Sequence, residues 1–339
     1  MEHTPRHPRR GTGRLAAPAV RSLGLLLLVS LGCRAPAIPE SQRFPAGTAF
    51  TAREIRVEGT RIRYVETGHG IPVVLLHGLG ASLYAWRKNL APIAAAGFRV
   101  IAFDNRGFGF SDKPATGYDN ASYARLTVAL LDSLHIVDAV LVGHSMGGAI
   151  AAQVAIEHPE RVRGLVLIGS AGLGAREPVV FRVARWPVVG PAVLALRGRG
   201  LTARLLKATY ADPGKVTEAD VDQYYAPTVE SGYGRALRSA LREFHFDGLQ
   251  GRLQHVAAPT LVLWGEEDRL VPIGLGRALA LGIPRAAFLS VAQAGHSVQE
   301  EAPDEVNRLI IKFLREGLPL VPRDLALGPS RSIFHQPSG

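Results

Sequence analysis

Ser145 lies in LVGHSMGGA (141–149), where an apolar run meets Gly143, His144, the serine, Met146 and then Gly147 and Gly148. A strand that turns sharply into a helix clashes unless the flanking residues are small. The pattern therefore reads as a nucleophile elbow, with Gly143 and Gly147 as the glycines that let the turn exist and Gly148 giving the helix room against its strand. A serine hydroxyl is a weak nucleophile and needs a base to take its proton and a third group to orient that base. Two later segments supply candidates: LVLWGEEDRLVP brings Glu266, Glu267 and Asp268 after one apolar run, and SVAQAGHSVQEEAP brings His296 after the next. Such a set adds serine to an electrophilic carbon and then transfers the acyl group to water.

Other residues of chemical type are better read as supports. His144 neighbours the nucleophile but should point elsewhere on an elbow, and His77 in LLHGLGAS shapes its loop. No HExxH and no paired Cys/His spacing is present, so neither a metal nor any other cofactor is expected.

The elements that must position these residues follow from periodicity. EIRVEGTRIRYVETG alternates with period two around Gly59-Thr60 and predicts a hairpin. Six short apolar runs then recur (PVVLLHG, FRVIAFD, AVLVGHS, LVLIGSA, TLVLWGEED and AAFLSV), with lengths and β-branched content that suit strands buried on both faces. Helical stretches at 122–134, 147–157 and 302–314 separate some of them. This alternation predicts an α/β fold with a doubly wound, mostly parallel sheet. Residues 173–253 break the rhythm and read as a helical cap inserted over the sheet.

With the motifs in place, residues 55–315 resemble the α/β-hydrolase fold superfamily. Serine, acid and histidine come in that family's chain order. The resemblance implies Ser145 as nucleophile, His296 as base and then acid, and Asp268, in G-x-x-D-x-x-x-P ending at Pro272, as the group that holds the imidazolium. It also implies an oxyanion hole from the backbone amides of Leu79 and Met146, and a structural role for Asp104 and Arg106 in FDNRGFGFSDKP. Dehalogenases and epoxide hydrolases of this fold place an aspartate where this chain has Ser145. The SMGG elbow and the insertion resemble the meta-cleavage C–C bond hydrolases as much as the carboxylesterases. That group commonly carries tryptophan directly after the catalytic histidine, whereas here the residue is Ser297. The expected activity is therefore hydrolysis of small or lipid-like carboxylic esters through an acyl-enzyme, with C–C bond hydrolysis or perhydrolase and acyltransferase chemistry as alternatives. A ligand-binding protein on the same fold is the non-enzymatic alternative. Phe181, Trp186, Leu205, Tyr210, Tyr224 and Tyr225 are the expected wall of an acyl pocket.

The N-terminus carries an address. Arginines at 6, 9, 10, 14 and 21 precede LGLLLLVSLGC, an apolar core of about ten residues, where about twenty are needed to span a bilayer. Gly32 and Cys33 resemble the end of a bacterial lipobox, although Ser30 and Leu31 depart from it; cleavage after Ala37 is the other export reading. The expected organisation is a signal peptide at 1–33 with Cys33 lipidated, a linker at 34–50, a core at 51–172 and 254–316, the cap at 173–253 and a disordered tail at 317–339. The protein would be exported and membrane-anchored on the periplasmic side or at the outer membrane, otherwise periplasmic or secreted, with a retained hydrophobic N-terminus as a further alternative. Cys33 is the sole cysteine of the 339 residues, so no disulfide can form within the chain. Of the formal charge of +10, much sits in that first segment, and no basic stripe with interleaved aromatics follows, so nucleic acid is not an expected partner. An apolar content of 47% supports a sizeable core.

Overall fold

The computed structural model describes Met1 and residues 50–174, 179–186, 189–190 and 198–317. The expectations for the signal segment, for Cys33, for the linker up to 49 and for the tail from 318 lie outside these residues. All elements below belong to the unit Ala35–Gly339.

β1 (Arg53–Val57) and β2 (Thr60–Thr67) form the expected hairpin, with Ile55 opposite Ile62 and Val57 opposite Thr60. Its turn falls one residue earlier than the alternation suggested. Glu58 and Gly59 are the central pair, with φ of 48° and 77°, and two left-handed residues make the tight turn whose twist matches the strands.

Each apolar run is a strand: β3 (Pro72–Leu76), β4 (Arg99–Phe103), β5 (Ala139–His144), β6 (Val162–Ile168), β7 (Thr260–Gly265) and β8 (Ala286–Val291). The sheet order is β1-β2-β4-β3-β5-β6-β7-β8, antiparallel from β1 to β4 and parallel from there on. Both faces are covered. Val74, Leu76, Ile101 and Phe103 enter one hydrophobic cluster, and their alternate neighbours Val73, Leu75, Val100 and Ala102 enter the other. Helix α1 (Leu90–Ala95) packs on the second face, and α2 (Asn120–Ser133) and α3 (Met146–Glu157) pack on the first.

Between β6 and β7 the chain leaves the sheet for α4 (Val179–Ala184), α5 (Arg199–Lys207), α6 (Glu218–Tyr225) and α7 (Tyr233–Glu243). This insertion has a small cluster of its own around Leu206, Tyr210, Val216 and Val221, while Ala236, Leu237 and Ala240 of α7 join the first face's core. After β7 come α8 (Ile273–Gly282), α9 (Val298–Glu301) and α10 (Pro303–Glu316), with α10 completing the second face. The chain goes from β3 outward to β4 and then back across to β5, so the direction of winding reverses there. Open α/β sheets place their sites at the carboxyl ends of strands at such a reversal.

Among the described residues no helix is long and apolar enough to cross a membrane, and no group of three or more His, Cys, Asp or Glu could hold a metal ion.

Candidate active site

Ser145 links β5 directly to α3 with φ 54° and ψ −118°, a strained backbone for a residue with a side chain. The surrounding structure leaves no other course. A Cβ on Gly143 would strike the backbone of Gly147 and Gly148, and one on Gly147 would strike the carbonyls of Leu76 and His77, all closer than 3.0 Å. Gly148 makes room for the Ser170 side chain beyond β6.

His296 lies in the loop after β8, and Asp268 in the loop after β7. His296 Nδ1 and Asp268 Oδ2 are 2.8 Å apart and both side chains are buried. The other carboxylate oxygen, Oδ1, accepts the backbone amides of Leu270 and Val271 at 2.9 and 2.8 Å, so the acid is fixed before it meets the imidazole. Its rivals are occupied elsewhere: Glu266 accepts the Ser290 hydroxyl at 2.8 Å and Glu267 is an exposed partner of Arg269. Ser145 and His296 line one cavity of about 740 Å³. Among the described residues no hydrogen bond joins the two, a looseness common in resting sites.

Leu79, in the loop after β3, lines the same cavity. Met146 is the first residue of α3, where an amide has no intrahelical carbonyl to bond and the helix dipole favours negative charge.

The remaining chemical residues behave as supports. His77 accepts the Asn105 amide on Nε2 at 2.9 Å and so carries its proton on Nδ1, which donates to the Gly78 carbonyl at 2.8 Å. Asp104 is fully buried and gathers the amides of Leu83 and Phe110 with the Arg63 guanidinium. Arg106 donates to the Gly117 carbonyl at 3.2 Å. His144 is a closer support than its position in the elbow suggested. It packs on His296 with ring centroids 4.8 Å apart, and its Nε2 lies 3.0 Å from the His296 carbonyl oxygen. A carbonyl can only accept, so the His144 proton is on Nε2. Burial, and then the neighbouring His296, push the His144 pKa well below 6.5; burial likewise lowers that of His77. Both are neutral imidazoles at pH 7.

The insertion supplies much of the cavity wall through Phe181, Leu205, Tyr224, Leu237, Phe244 and Phe246. Of the six residues expected there, Phe181, Leu205 and Tyr224 are in place. The other three are not on that wall: Trp186 is exposed, Tyr210 is buried in the insertion's own cluster, and Tyr225 lies outside the lining. Arg185, Arg269 and Asp247 add charge to an otherwise apolar space.

A buried polar network behind this wall had no signal in the sequence, because its members come from three distant segments. Arg87 pairs with Asp220 of α6 at 2.7 Å and with Glu300 of α9. Tyr84 donates to Asp220 at 3.0 Å, and Tyr224 donates to Glu300 at 2.6 Å. Burial and Glu300 raise the Tyr224 pKa well above 10, so its phenol stays a donor. Burial would raise the Asp220 carboxyl, but Arg87 and bonds from Thr217 and Tyr84 outweigh it and hold the group below 3.8. Next door, Glu301 accepts the amides of Ala211, Asp212 and Gly295. Ser297 donates to the Thr209 hydroxyl at 2.8 Å and its amide bonds the Thr209 carbonyl at 3.0 Å. The segment carrying His296 is thus stitched to the insertion.

A family model described as the alpha/beta hydrolase fold matches residues 71–303, and the chain belongs to that family. It is 34% identical over 281 residues to the 2-hydroxymuconate semialdehyde hydrolase of Pseudomonas sp. (strain CF600), covering 80% of this chain and 96% of that protein. It is 35% identical over 269 residues to the 2-hydroxy-6-oxo-6-phenylhexa-2,4-dienoate hydrolase of Comamonas testosteroni, covering 75% and 91%. Among solved structures it is similar to a meta-cleavage product hydrolase of Pseudomonas fluorescens IP01, with TM-score 0.67 and 30% identity over 78% of this chain and 97% of that one. The hydrolase class is thereby shown, while the preference for esters expected from the sequence gains support only at the level of the fold.

Proposed function

We propose that the protein is a serine hydrolase that cleaves a carbon–carbon bond next to a ketone in an unsaturated keto acid. The observation that carries this reading is the likeness to relatives named for such substrates over nine-tenths of their length, on a chain that brings Ser145, His296 and Asp268 together. Arg185 and Arg269 at the cavity suit a substrate carboxylate, and the aromatic wall suits its carbon chain.

Ser145 Oγ adds to the ketone carbonyl and gives its proton to His296, whose charge Asp268 stabilises. The oxyanion rests on the amides of Leu79 and Met146. The carbon–carbon bond then breaks; its electron pair leaves on a carbon that the adjoining unsaturation stabilises, and that carbon takes the proton His296 had accepted, which returns His296 to its neutral form. Water, deprotonated by His296, attacks the acyl-Ser145 and releases a carboxylic acid. Water is the only co-reactant consumed.

Ester hydrolysis is the second reading, favoured by Ser297. The position that resembles a tryptophan in C–C hydrolases here holds a small residue bonded to Thr209. One experiment separates the two. Purified protein is given a 2-hydroxy-6-oxo-dienoate and, separately, a graded series of nitrophenyl esters, with Ser145→Ala as the blank. Ser145-dependent cleavage of the dienoate at a kcat/KM well above that for any ester supports the first reading, and the reverse order supports the second. For the N-terminus we keep export with a lipid on Cys33 as the proposal, and the mass of the mature N-terminal peptide tests it.

A further inference from the structure

We propose that the outer face of α4, with Trp186 and Val189 just beyond it, docks the protein on an anionic lipid bilayer. Helix α4 is two-faced. Phe181 and Arg185 line the cavity, while Val179 and Arg182, one turn apart, face outward with Trp186 a further turn along. Val179 is 63% exposed, Trp186 62% and Val189 41%. Within eleven residues these are three of the exposed large apolar side chains among the described residues. The contrast with the other tryptophans is sharp: the chain has three, and Trp86 and Trp264 are fully buried.

The charge around this apolar tip decides what it meets. Among the described residues from Val179 to Ala211 every charged residue is basic: Arg185 turns to the cavity and Arg199 is paired with Glu218 and Asp222, which leaves Arg182, Arg204 and Lys207 as the cations of this stretch. Apolar and aromatic side chains set among cations fit the boundary of an anionic bilayer, where the former enter the acyl region and the latter meet lipid phosphates. A nucleic acid would use the cations but leave Val179 and Val189 in water. Because α4 also walls the cavity, docking would bring the substrate chamber to the membrane surface, a short path for an apolar substrate dissolved there. This inference does not depend on which bond the site cleaves.

Trp186 is the natural reporter, since Trp86 and Trp264 are already shielded from water. The full chain is titrated with phosphatidylglycerol vesicles and with phosphatidylcholine vesicles while tryptophan emission is followed, using lipids brominated in the acyl chain as quenchers. The expected result is a blue shift and quenching with phosphatidylglycerol that weaken at high salt and are absent with phosphatidylcholine. Arg182→Gln should weaken the effect about fivefold, given roughly 1 kcal/mol per basic residue near such a surface. Trp186→Phe should silence it. Emission unchanged by phosphatidylglycerol overturns the proposal, even if the protein sediments with the vesicles, because binding would then run through another part of the chain. A shift that survives Trp186→Phe, or that is equally strong with phosphatidylcholine, overturns it as well.

Discussion

His144 donates its Nε2 proton to the backbone carbonyl of His296, 3.0 Å away, and the two rings lie 4.8 Å apart. His144 thereby holds the backbone of His296, while Asp268 holds its imidazole by Nδ1. A cation on His144 would oppose an imidazolium at His296, and burial keeps His144 neutral. Replacing His144 with phenylalanine keeps a ring but removes the donor. A hydrogen bond worth about 1 kcal/mol predicts a loss of roughly fivefold in kcat at little change in KM. Equal losses in kcat and stability, with no change in the pH profile, would show that the ring only fills space.

The same two buried imidazoles make stability depend on pH. His77 and His144 both have folded pKa values below the ordinary 6.5. Above 6.5 both are neutral whether folded or not, and they contribute no slope. As pH falls below 6.5 the unfolded chain takes up protons that the folded chain refuses, so unfolding becomes easier. The thermal midpoint is expected to fall from pH 6.5 to 5, and the fall should be shallower in His144→Phe. A midpoint flat over that range in the parent protein contradicts the neutral assignment.

Asp268 can be separated from its acidic neighbours by activity. Asp268→Asn keeps an acceptor for the Leu270 and Val271 amides but presents the wrong partner to His296 Nδ1. By analogy with a serine protease triad the expected loss in kcat is about ten-thousandfold. Glu267→Gln, on an exposed side chain, should leave kcat within about twofold of the parent, since surface changes of this kind are near neutral. Steady-state kinetics on whichever substrate is turned over decides between the acids.

The elbow predicts a structural failure of a different kind. On Gly147 a methyl group would drive into the Leu76 carbonyl, and neither the strand nor the helix has space to yield. Gly147→Ala should cost at or above the upper end of the about 1–3 kcal/mol usual for overpacking, read as a lowered denaturation midpoint. A variant of parental stability would mean that the sharp turn from β5 to α3 can relax.

Much of this was legible in the sequence because it is local. Five of the six apolar runs are strands buried on both faces, while β8 at the sheet edge is only partly buried with Ser290 exposed, a departure from the expectation; the small residues around Ser145 are there because the turn demands them. Asp268 was set apart from Glu266 and Glu267 by a family pattern, and its two backbone donors give the physical reason. What stayed hidden depends on contacts across the chain. His144 and His296 are 152 residues apart, and Arg87 and Glu300 are 213 apart. Trp186 shows the converse: its aromatic character suggested a pocket wall, yet it lies one residue beyond Arg185 and faces outward. The turn of the β1–β2 hairpin was displaced by one residue because Glu58 takes a left-handed φ that composition does not announce.

Arg87 carries the last prediction. It is buried between Asp220 of the insertion and Glu300 of the segment that follows His296, and Glu300 in turn receives the hydroxyl of Tyr224 on the cavity wall. Arg87→Met would leave two carboxylates without their cation, and breaking a buried pair in this way costs about 3–5 kcal/mol. The loss belongs to the stranded charges rather than to the pair itself. Adding Asp220→Asn and Glu300→Gln to Arg87→Met should therefore restore a large part of the midpoint. Catalysis should recover less than stability, because a neutral amide holds Tyr224 less firmly and the segment behind His296 loses its tie to α6. With Asp220 held below 3.8 by Arg87, its share of stability is present above that pH and fades as pH falls through the lowered folded value. Denaturation of the single and triple variants at pH 7, beside kcat and KM for each, tests the account. A triple variant as unstable as Arg87→Met would mean that arginine packing against the Tyr84 ring, 4.4 Å from its centroid, matters more than the charges.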